Sequence, residues 1–464
     1  MPHGRSVAVA ALAGTLEERV AAFVRRQRLP GAAAGVVVGD ELVWSFGYGF
    51  ADVAAGRPHD EHTIFRIASI TKTFTATAIM QLRDEGRLHL DDPAVAYLPE
   101  LRDAVSPFGS IETVTIRRML SHESGLMGDP PGARFFHDVY EFSPAVNLGR
   151  AGELSTRIPA NVQQKYSNFA YQLLGEIVAR LDGRPYTEAI DERILAPLAM
   201  TSSVFPPLSP DLASRRAVGY RPRWMTDEFT PAQGLDDFAA AEGGMQSSVA
   251  DVARWLSAQF PAEGGPEGHR TVLADRTLRE MQRPRYLEGD AWEEAWCIGW
   301  YAVRQGETVW TQHSGGLPGF RTNACFRAKE RVGAMAFLNG GAIAGDLAME
   351  LGALALEALG KAVEPLEVPK VPPEAYGDLL GLYGEPTEGI LARLEWRDGT
   401  LRLHDPADPD GDLVLLPTDD VDRFTVDWYR RESGEIVDVH RDDAGRVTGV
   451  TIGPYTLRRF EPLA

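Results

Sequence analysis

FRIASITKTFTATAIMQLRDEG, residues 65–86, is the stretch that decides how this chain folds and which chemistry it carries. The residues from Thr71 to about Gly86 are predicted to form a helix, which the glycine ends. Ser69 stands just before this helix and Lys72 stands in its first turn, so the hydroxyl and the amine face the same way. An adjacent amine can convert an unreactive alcohol into a nucleophile. Because an S-x-x-K pair occurs by chance in most chains of this length, support for that chemistry must come from other motifs.

Two further motifs carry polar groups of the kind that such a nucleophile needs. Tyr166 and Asn168 stand in "YSN", immediately before a predicted helix, and His313 begins "HSGG" at the end of a predicted strand. Each motif also has a simple structural interpretation. Ser167 or Asn168 can cap the helix with Tyr166 packed beside it, and His313 can be a surface residue in a turn. Glycines at a strand end also let a ligand approach the backbone closely.

The composition is that of an acidic globular protein. Hydrophobic residues make up 44% of the chain and charged residues 24%, while the net charge is −19. Nucleic-acid binding needs a basic face, so no nucleic-acid partner is expected. No segment reaches the roughly 18 apolar residues of a membrane span, and the short apolar run after Arg5 leads into an amphipathic helix. We therefore expect a soluble, cytoplasmic protein without a cleaved signal peptide.

The cysteines and histidines outside these motifs give no metal signature. Cys297 and Cys325 lie in apolar stretches without CxxC or zinc-type spacing, which favours buried free thiols over a disulfide. The sequence therefore predicts neither a metal site nor a cofactor. Five histidines have no partner motif and are predicted to lie at the surface: His59, His62, His89, His137 and His404.

Hydrophobic periodicity predicts a mixed α/β arrangement. A helix near the amino terminus is followed by an antiparallel hairpin with its turn at Gly39-Asp40, and helical patterns then fill the middle of the chain. Ser248 and Asp251 form a predicted capping pair at the start of one of these helices. Strand patterns return from about Trp292 and end in a terminal helix. Both ends of this region therefore contribute to one sheet, with helices inserted between them.

The pattern changes after about residue 360. Residues 361–377 are rich in proline and are predicted to form a stiff, extended linker. Seven or eight short strand patterns follow over about 85 residues, which is typical of a small antiparallel barrel or sandwich. An eight-stranded barrel can be filled by side chains or can hold a small ligand.

In this order, S-x-x-K, Y-x-N and H-x-G resemble the penicillin-recognising serine hydrolases. The branch is the one that contains class C β-lactamases, DD-carboxypeptidases, D-aminopeptidases and related esterases. The resemblance covers roughly residues 15–360 and extends to "TIRRMLSHESGL" and "HSGGLPGFRT". It implies a five-stranded antiparallel sheet with flanking helices and a helical subdomain. The expected domains are a β-lactamase-like hydrolase domain over 1–362, a linker over 363–377 and a β-barrel over 378–464.

The carboxy-terminal barrel resembles the lipocalin-like domain that some members of this family carry. In an archaeal D-amino-acid-specific peptidase of that architecture, such barrels help to build an oligomeric compartment. The resemblance thus allows a homo-oligomer formed through residues 378–464, although a small packing module is an equally good interpretation. A barrel that covers the site would restrict the size of the substrate.

The family resemblance also implies roles for the motif residues. Ser69 would be the nucleophile, and either Lys72 or Tyr166 would take its proton. Asn168 would bind a substrate amide carbonyl and steady Lys72. The main-chain N–H groups of Ser69 and Gly316 would stabilise the oxyanion, with the first of them at a helix N-terminus.

The H-x-G motif departs from the class C β-lactamases. His313 stands where those enzymes carry lysine, followed by Gly315 and Gly316 on the same strand. A histidine there offers a positive charge only when it is protonated. This difference weakens the β-lactamase interpretation and favours the peptidase and esterase members.

The predicted function is a serine hydrolase that acts through an acyl-enzyme on small amide or ester substrates. A peptidase of the D-aminopeptidase or DD-carboxypeptidase type is the leading interpretation, with a small molecule or short peptide as substrate. A carboxylesterase or weak β-lactamase of the same fold is the alternative. A third possibility is a non-catalytic protein that binds cell-wall fragments, against which the complete set of motif residues argues. A G-x-S-x-G elbow is absent, which removes the main support for an α/β-hydrolase.

Overall fold

A computed structural model describes most of the chain and divides it into two compact units. The described residues are 8–9, 11–130, 144–222, 229–232, 240–260, 272–288, 293–305, 308–360, 376–385, 390–397, 400–405, 408–418, 420–427, 432–452 and 455–460. The first unit contains the described residues up to Arg221 and from Thr230 to Gly360. The second contains Pro222, Phe229 and those from Tyr376 onward. The predicted linker at 363–377 lies almost entirely outside the described residues.

Helices form much of the first unit. Those of the described residues are α1 (Ala13–Arg26), α2 (Thr71–Asp84), α3 (Ile116–Leu120), α4 (Pro144–Leu148), α5 (Asn168–Asp182), α6 (Tyr186–Ile190), α7 (Pro210–Arg215), α8 (Ala240–Gly243), α9 (Val249–Ser257), α10 (Asp275–Met281) and α11 (Ala344–Ala358). Single 3-10 turns lie at Ala68–Ile70, Ala94–Ala96, Pro99–Asp103, Ile111–Thr113 and Ala151–Glu153, and a π-helical turn lies at Asp191–Leu195. The predicted cap at Ser248 is confirmed, since its hydroxyl accepts from the Asp251 N–H at 3.3 Å.

The strands up to residue 360 come from both ends of this region. They are β1 (Gly31–Val38), β2 (Glu41–Asp52), β3 (Arg57–Pro58), β4 (Phe65–Arg66), β5 (Tyr220–Pro222), β6 (Phe229–Pro231), β7 (Gln246–Ser247), β8 (Tyr286–Glu288), β9 (Glu294–Trp296), β10 (Tyr301–Gln305), β11 (Thr308–Leu317), β12 (Phe320–Arg327) and β13 (Val332–Leu338). The main antiparallel sheet has the order β3-β2-β1-β13-β12-β11-β10-β9-β8. It has nine strands, whereas the family resemblance implies five, and three of the four additional strands are the short edge strands β3, β8 and β9.

The central strand β1 shows how the sheet is held between two layers of helices. Side chains of a strand alternate between its faces. Ala32 and Val36 accordingly belong to the core that α1 and α11 cover, whereas Ala33 and Val37 belong to the core built with α2, α5 and α9. All eight residues of β1 are buried, as expected for a strand that is covered on both sides.

One histidine lies in this core against expectation. The prediction that His59 is at the surface is wrong, because only 5% of it is exposed and its ring stacks on Phe65 at 5.0 Å. Burial disfavours the charged imidazolium and lowers the pKa of His59 to about 4. His62 and His89 are exposed as predicted, His404 is partly buried, and His137 lies outside the described residues.

The buried imidazole predicts a loss of stability in acid. The pKa of His59 is lower in the folded chain than in the unfolded chain, so its contribution is intact above pH 6.5 and is lost as the pH falls toward 4. The expected loss is about 3 kcal/mol of the free energy of unfolding. Urea unfolding at several pH values should show a weaker pH dependence for His59→Phe than for wild type. The exposed His62 provides the control, since His62→Phe should keep the wild-type slope. Equal slopes in all three proteins would contradict this prediction.

Both cysteines are buried free thiols, as predicted. Cys297 lies in the core with α2, whereas Cys325 lies in the core with α1 and α11. Burial raises the pKa of the Cys297 thiol to about 12, so the thiol stays protonated at neutral pH. Neither cysteine therefore competes with a serine as a nucleophile.

The second unit is a closed antiparallel barrel. Its strands are β14 (Gly381–Glu385), β15 (Ile390–Arg397), β16 (Thr400–Asp405), β17 (Asp408–Pro417), β18 (Arg423–Asp427), β19 (Glu432–Arg441), β20 (Val447–Ile452) and β21 (Tyr455–Phe460). Each strand pairs with the next, and β21 pairs with β14 to close the barrel. Apolar side chains from these strands form one buried cluster: Leu394, Leu401, Leu403, Leu415, Phe424, Val426, Val437, Val450 and Leu457. Of the two architectures that the strand pattern allowed, the structure has the barrel.

Candidate active site

Ser69 lies in a tight turn that leads directly into α2. The turn is the 3-10 segment Ala68–Ile70, and Ala68 before the serine has a φ of +49°, which residues other than glycine rarely adopt. The Thr71 hydroxyl donates to the Ala68 carbonyl at 2.6 Å and accepts from the Met245 N–H at 3.2 Å. These bonds hold a backbone conformation that carries strain, as is common at functional sites.

Lys72 is fully buried, and its amine touches three parts of the chain. Its Nζ donates to Asn168 Oδ1 at 2.8 Å and to the main-chain oxygen of Glu242 at 2.7 Å, and it lies 3.1 Å from Ser69 Oγ. Burial lowers the pKa of Lys72 to about 8, against the opposing effect of the Glu242 and Asp129 carboxylates. A lysine with this pKa is partly neutral near pH 7 and can accept the serine proton.

Asn168 is oriented by the start of α5. Ser167 is the N-cap, since its hydroxyl accepts from the Ala170 N–H at 2.9 Å. The Asn168 side chain is therefore available to the site, where its Nδ2 donates to Asp129 Oδ1 at 3.0 Å. Asn168 donates one amide hydrogen to Asp129, and its amide oxygen accepts from Lys72. These two hydrogen bonds fix the orientation of the Asn168 side chain.

The Tyr166 ring packs beside the same amine. Lys72 Nζ lies 5.1 Å from the centroid of the Tyr166 ring, and the same ring stacks on His122 with a centroid distance of 4.2 Å. His122 is held in turn, because its Nδ1 accepts from the Ser167 N–H at 3.1 Å. Burial raises the pKa of Tyr166 well above its usual value, and a hydrogen bond with Ser69 opposes the rise. The phenol is therefore protonated at neutral pH.

His313 lies on β11 and is buried, with 2% of its surface exposed. Its Nδ1 is 2.7 Å from the Ser314 carbonyl oxygen, which only accepts hydrogen bonds, so the ring proton is assigned to Nδ1. Nε2 is then an acceptor, and it has no hydrogen-bond partner among the described residues. Burial, followed by the nearby Lys72, lowers the pKa of His313 to about 3. At neutral pH this residue offers no positive charge.

Gly315 lets β11 lie against the turn that holds Ser69. A side chain at Gly315 would collide with the Ile67 carbonyl oxygen and the Thr322 hydroxyl, which are themselves bonded at 3.0 Å. Gly316 is the next residue on the strand. The main chain of the motif therefore passes within contact distance of the residues before the serine, as a main-chain oxyanion hole requires.

This close approach predicts that Gly315→Ala lowers kcat/KM for a nitrophenyl ester by about 100- to 1,000-fold. The added methyl group forces β11 away from the turn and displaces the N–H of Gly316 from the developing oxyanion. Gly14→Ala on α1 is the control, since nothing lies within 4 Å of its added methyl group and its activity should be unchanged. A folded Gly315→Ala protein with wild-type kcat/KM would show that the approach is unimportant.

Several residues of the site were not found from the sequence. Trp296 packs against the rings of Tyr166, Tyr301 and His313, with centroid distances of 5.6, 5.1 and 6.5 Å. The pair Trp296 and Tyr301 therefore forms an aromatic wall, although the segment "AWCIGWY" indicated only a strand. Glu242 was also missed, and the signal for it was a single acidic residue among small ones in "AAAEGGM".

The described residues hold no group of three or more His, Cys, Asp or Glu side chains that could bind a metal ion. Within the same part of the chain, none of the helices has both the length and the apolar character needed to span a bilayer.

Comparisons with known proteins identify the family of this chain. The β-lactamase family model matches residues 16–358. Esterase EstB from Burkholderia gladioli is 32% identical over 311 residues, which are 60% of this chain and 77% of the esterase. The octameric penicillin-binding protein homologue from Pyrococcus abyssi shares the fold with a TM-score of 0.68 and 24% identity, over 96% of this chain and 99% of that one. A D-stereospecific amidohydrolase from Streptomyces sp. has a TM-score of 0.60 and 21% identity, over 73% and 98% of the two chains. The chain therefore belongs to the β-lactamase family of serine hydrolases.

Proposed function

We propose that this protein hydrolyses small amides through an acyl-enzyme on Ser69, as a peptidase of the D-aminopeptidase type. The observation that carries the proposal is the buried amine of Lys72, which lies 3.1 Å from the serine oxygen. An amine in that position, with its pKa lowered to about 8, is matched to proton transfer near neutral pH.

The proposed reaction follows from the positions of the groups. Neutral Lys72 takes the proton of Ser69 as its oxygen attacks the substrate carbonyl carbon, and the carbonyl oxygen becomes an oxyanion. The N–H groups of Ser69 and Gly316 donate to that oxyanion. The carbon–nitrogen bond then breaks, and the proton held by Lys72 passes to the leaving amine. Water enters, loses a proton to Lys72 and releases the acid and the free serine by the reverse sequence.

Lys72 rather than Tyr166 is the proposed base. The pKa of Lys72 is lowered toward neutrality, whereas that of Tyr166 is raised, so the phenol would have to be deprotonated at a high free-energy cost. In the proposed mechanism Tyr166 donates its proton to the leaving amine and receives the proton of the Lys72 ammonium in the same step, so the phenol is protonated before and after that step.

The charge of the site favours an aminopeptidase over a carboxypeptidase or a β-lactamase. The last two classes act on substrates that bear a free carboxylate, which a cation would bind. His313 is neutral at neutral pH and supplies no such cation. The Asn168 amide instead offers a neutral hydrogen-bonding group, which suits an amide substrate without a carboxylate near the scissile bond.

A carboxylesterase is the second candidate, and the 32% identity to an esterase favours it. The two functions are separated by kcat/KM for D-alanyl-p-nitroanilide, the L-enantiomer, p-nitrophenyl butyrate and a D-Ala-D-Ala peptide, each measured with wild type and Ser69→Ala. We expect turnover of the D-alanyl amide with little turnover of the peptide that ends in a carboxylate. Turnover of the ester alone would assign the protein as an esterase. The binding-protein alternative would be supported if no substrate is hydrolysed and a fluorophosphonate fails to label Ser69.

A further inference from the structure

We propose that Glu242 is a positioning residue of this site, which holds Lys72 through its main-chain oxygen and controls the protonation of Lys72 through its buried carboxyl group. The proposal rests on the function proposed above, because it assigns a task to Lys72. No motif of the sequence pointed to this residue.

The position of Glu242 is set by a short helix clamped onto α2. Glu242 belongs to α8, which is packed against both α2 and α5. The Thr75 hydroxyl on α2 donates to the Ala241 carbonyl at 2.6 Å, one residue before the oxygen that accepts from Lys72 Nζ at 2.7 Å. Two consecutive carbonyl groups of α8 thus accept hydrogen bonds from side chains one turn apart on α2, which fixes α8 beside Lys72.

The carboxyl group of Glu242 has no evident structural role. The whole residue is buried, and neither carboxyl oxygen has a hydrogen-bond partner of normal geometry among the described residues. The side chain of Gln172 on α5 lies beside it as a polar neighbour. A buried carboxyl group without strong hydrogen bonds costs several kcal/mol if it is ionised. Such a group is retained at that cost only where a nearby cation or a function compensates for it.

The nearby cation is Lys72. Burial raises the pKa of Glu242 to about 8, and Lys72 opposes that rise. Burial lowers the pKa of Lys72 to about 8, and Glu242 is the largest opposing influence. Other titratable side chains face Lys72 from the surrounding elements: Asp129, Tyr166, Tyr171 and His313. Of these, Asp129 also raises the pKa of Lys72, whereas the protonated phenols and the neutral imidazole add no charge at neutral pH.

The charges of Lys72 and Glu242 are therefore coupled, because each charged group favours the charged form of the other. Either Lys72 is an ammonium beside a carboxylate, or both side chains are neutral with the proton on Glu242. When Lys72 accepts the proton of Ser69, the carboxylate stabilises the ammonium that forms, so the lysine keeps enough basicity to hold that proton. Without the carboxylate, burial alone determines the pKa of Lys72, which must then fall.

The test is Glu242→Gln, which keeps the shape and removes the charge. The chain has five lysines, so ¹³Cε-lysine NMR can follow Lys72 directly, with its signal assigned by its loss in Lys72→Met. We expect the pKa of Lys72 to fall by about one unit or more. The rate of fluorophosphonate labelling depends on pH. The part of this dependence that follows the deprotonation of Lys72 should move to lower pH by the same amount. Glu242→Met, which has no acidic group, should give the same shift if the glutamine variant does not fold.

Asp251→Asn is the matched control. Asp251 is a buried carboxylate on α9 that accepts from the Ser202 N–H at 2.7 Å, and it has no role at Lys72. Its replacement should leave the pKa of Lys72 and the labelling profile in place. A Lys72 pKa that stays constant or rises in Glu242→Gln overturns the proposal. Failure of wild type to be labelled at Ser69 would instead overturn the proposed function, and the NMR titration would still report on Glu242.

Discussion

Replacing Ser69 with alanine is expected to lower kcat for every substrate by about 10⁴- to 10⁶-fold, the usual range for loss of a serine nucleophile. The alanine cannot form the acyl-enzyme, and the oxyanion hole alone supports only a slow attack by water. The fold should persist, because the bonds made by Thr71 that hold the turn do not involve the Ser69 hydroxyl.

Intact mass after treatment with a fluorophosphonate provides the second readout for Ser69→Ala. Wild type should gain one adduct, and the variant should gain none. Ser214→Ala is the control, since this exposed serine only donates to the Asp211 carbonyl and its loss should leave both rate and labelling unchanged. Equal turnover by wild type and Ser69→Ala would leave Ser69 without a catalytic role and would remove the basis of the proposed mechanism.

The parts of the fold that follow local rules could be predicted from the sequence. The apolar face of α1 comprises Leu16, Val20, Phe23 and Val24, and all of these residues are buried. The hairpin turn at Gly39-Asp40 joins β1 to β2, as its two-residue spacing indicates. The added strands at the sheet edges were missed, because segments of two or three residues are too short to show a periodic pattern.

The features of the candidate site also divide into those that the sequence predicts and those that it does not. The motif residues can be found from spacing and resemblance, since each motif is a local string. Their protonation states cannot be predicted from the sequence, because these depend on how deeply the rest of the fold buries each group. The sequence places His313 in a motif and His59 outside any motif, yet both prove to be buried and neutral because distant segments cover them. Glu242 was missed because its contact with Lys72 spans 170 residues of chain.

Replacing Lys72 with methionine is expected to lower kcat/KM by about 10³- to 10⁴-fold, near the upper end of what a general base contributes. The methionine fills most of the buried volume but can neither take the serine proton nor donate to Asn168. Stability should fall, because methionine leaves the buried Glu242 carboxyl group without its cation and the Asn168 amide oxygen without its donor. Lys329→Met is the control, since that lysine is exposed in the turn between β12 and β13.

Comparison with Tyr166→Phe turns this result into a test of the base. If Lys72 is the base, the phenylalanine variant keeps the ring packing on His122 and should lose only about 10- to 100-fold, from proton relay alone. If the phenolate were the base, Tyr166→Phe would be the more damaging change. The order of the two losses thus depends on which group has a pKa near neutrality, and the buried amine has the better match. A Tyr166→Phe protein that is slower than Lys72→Met would reverse the assignment and would leave Lys72 as the cation that stabilises a tyrosinate.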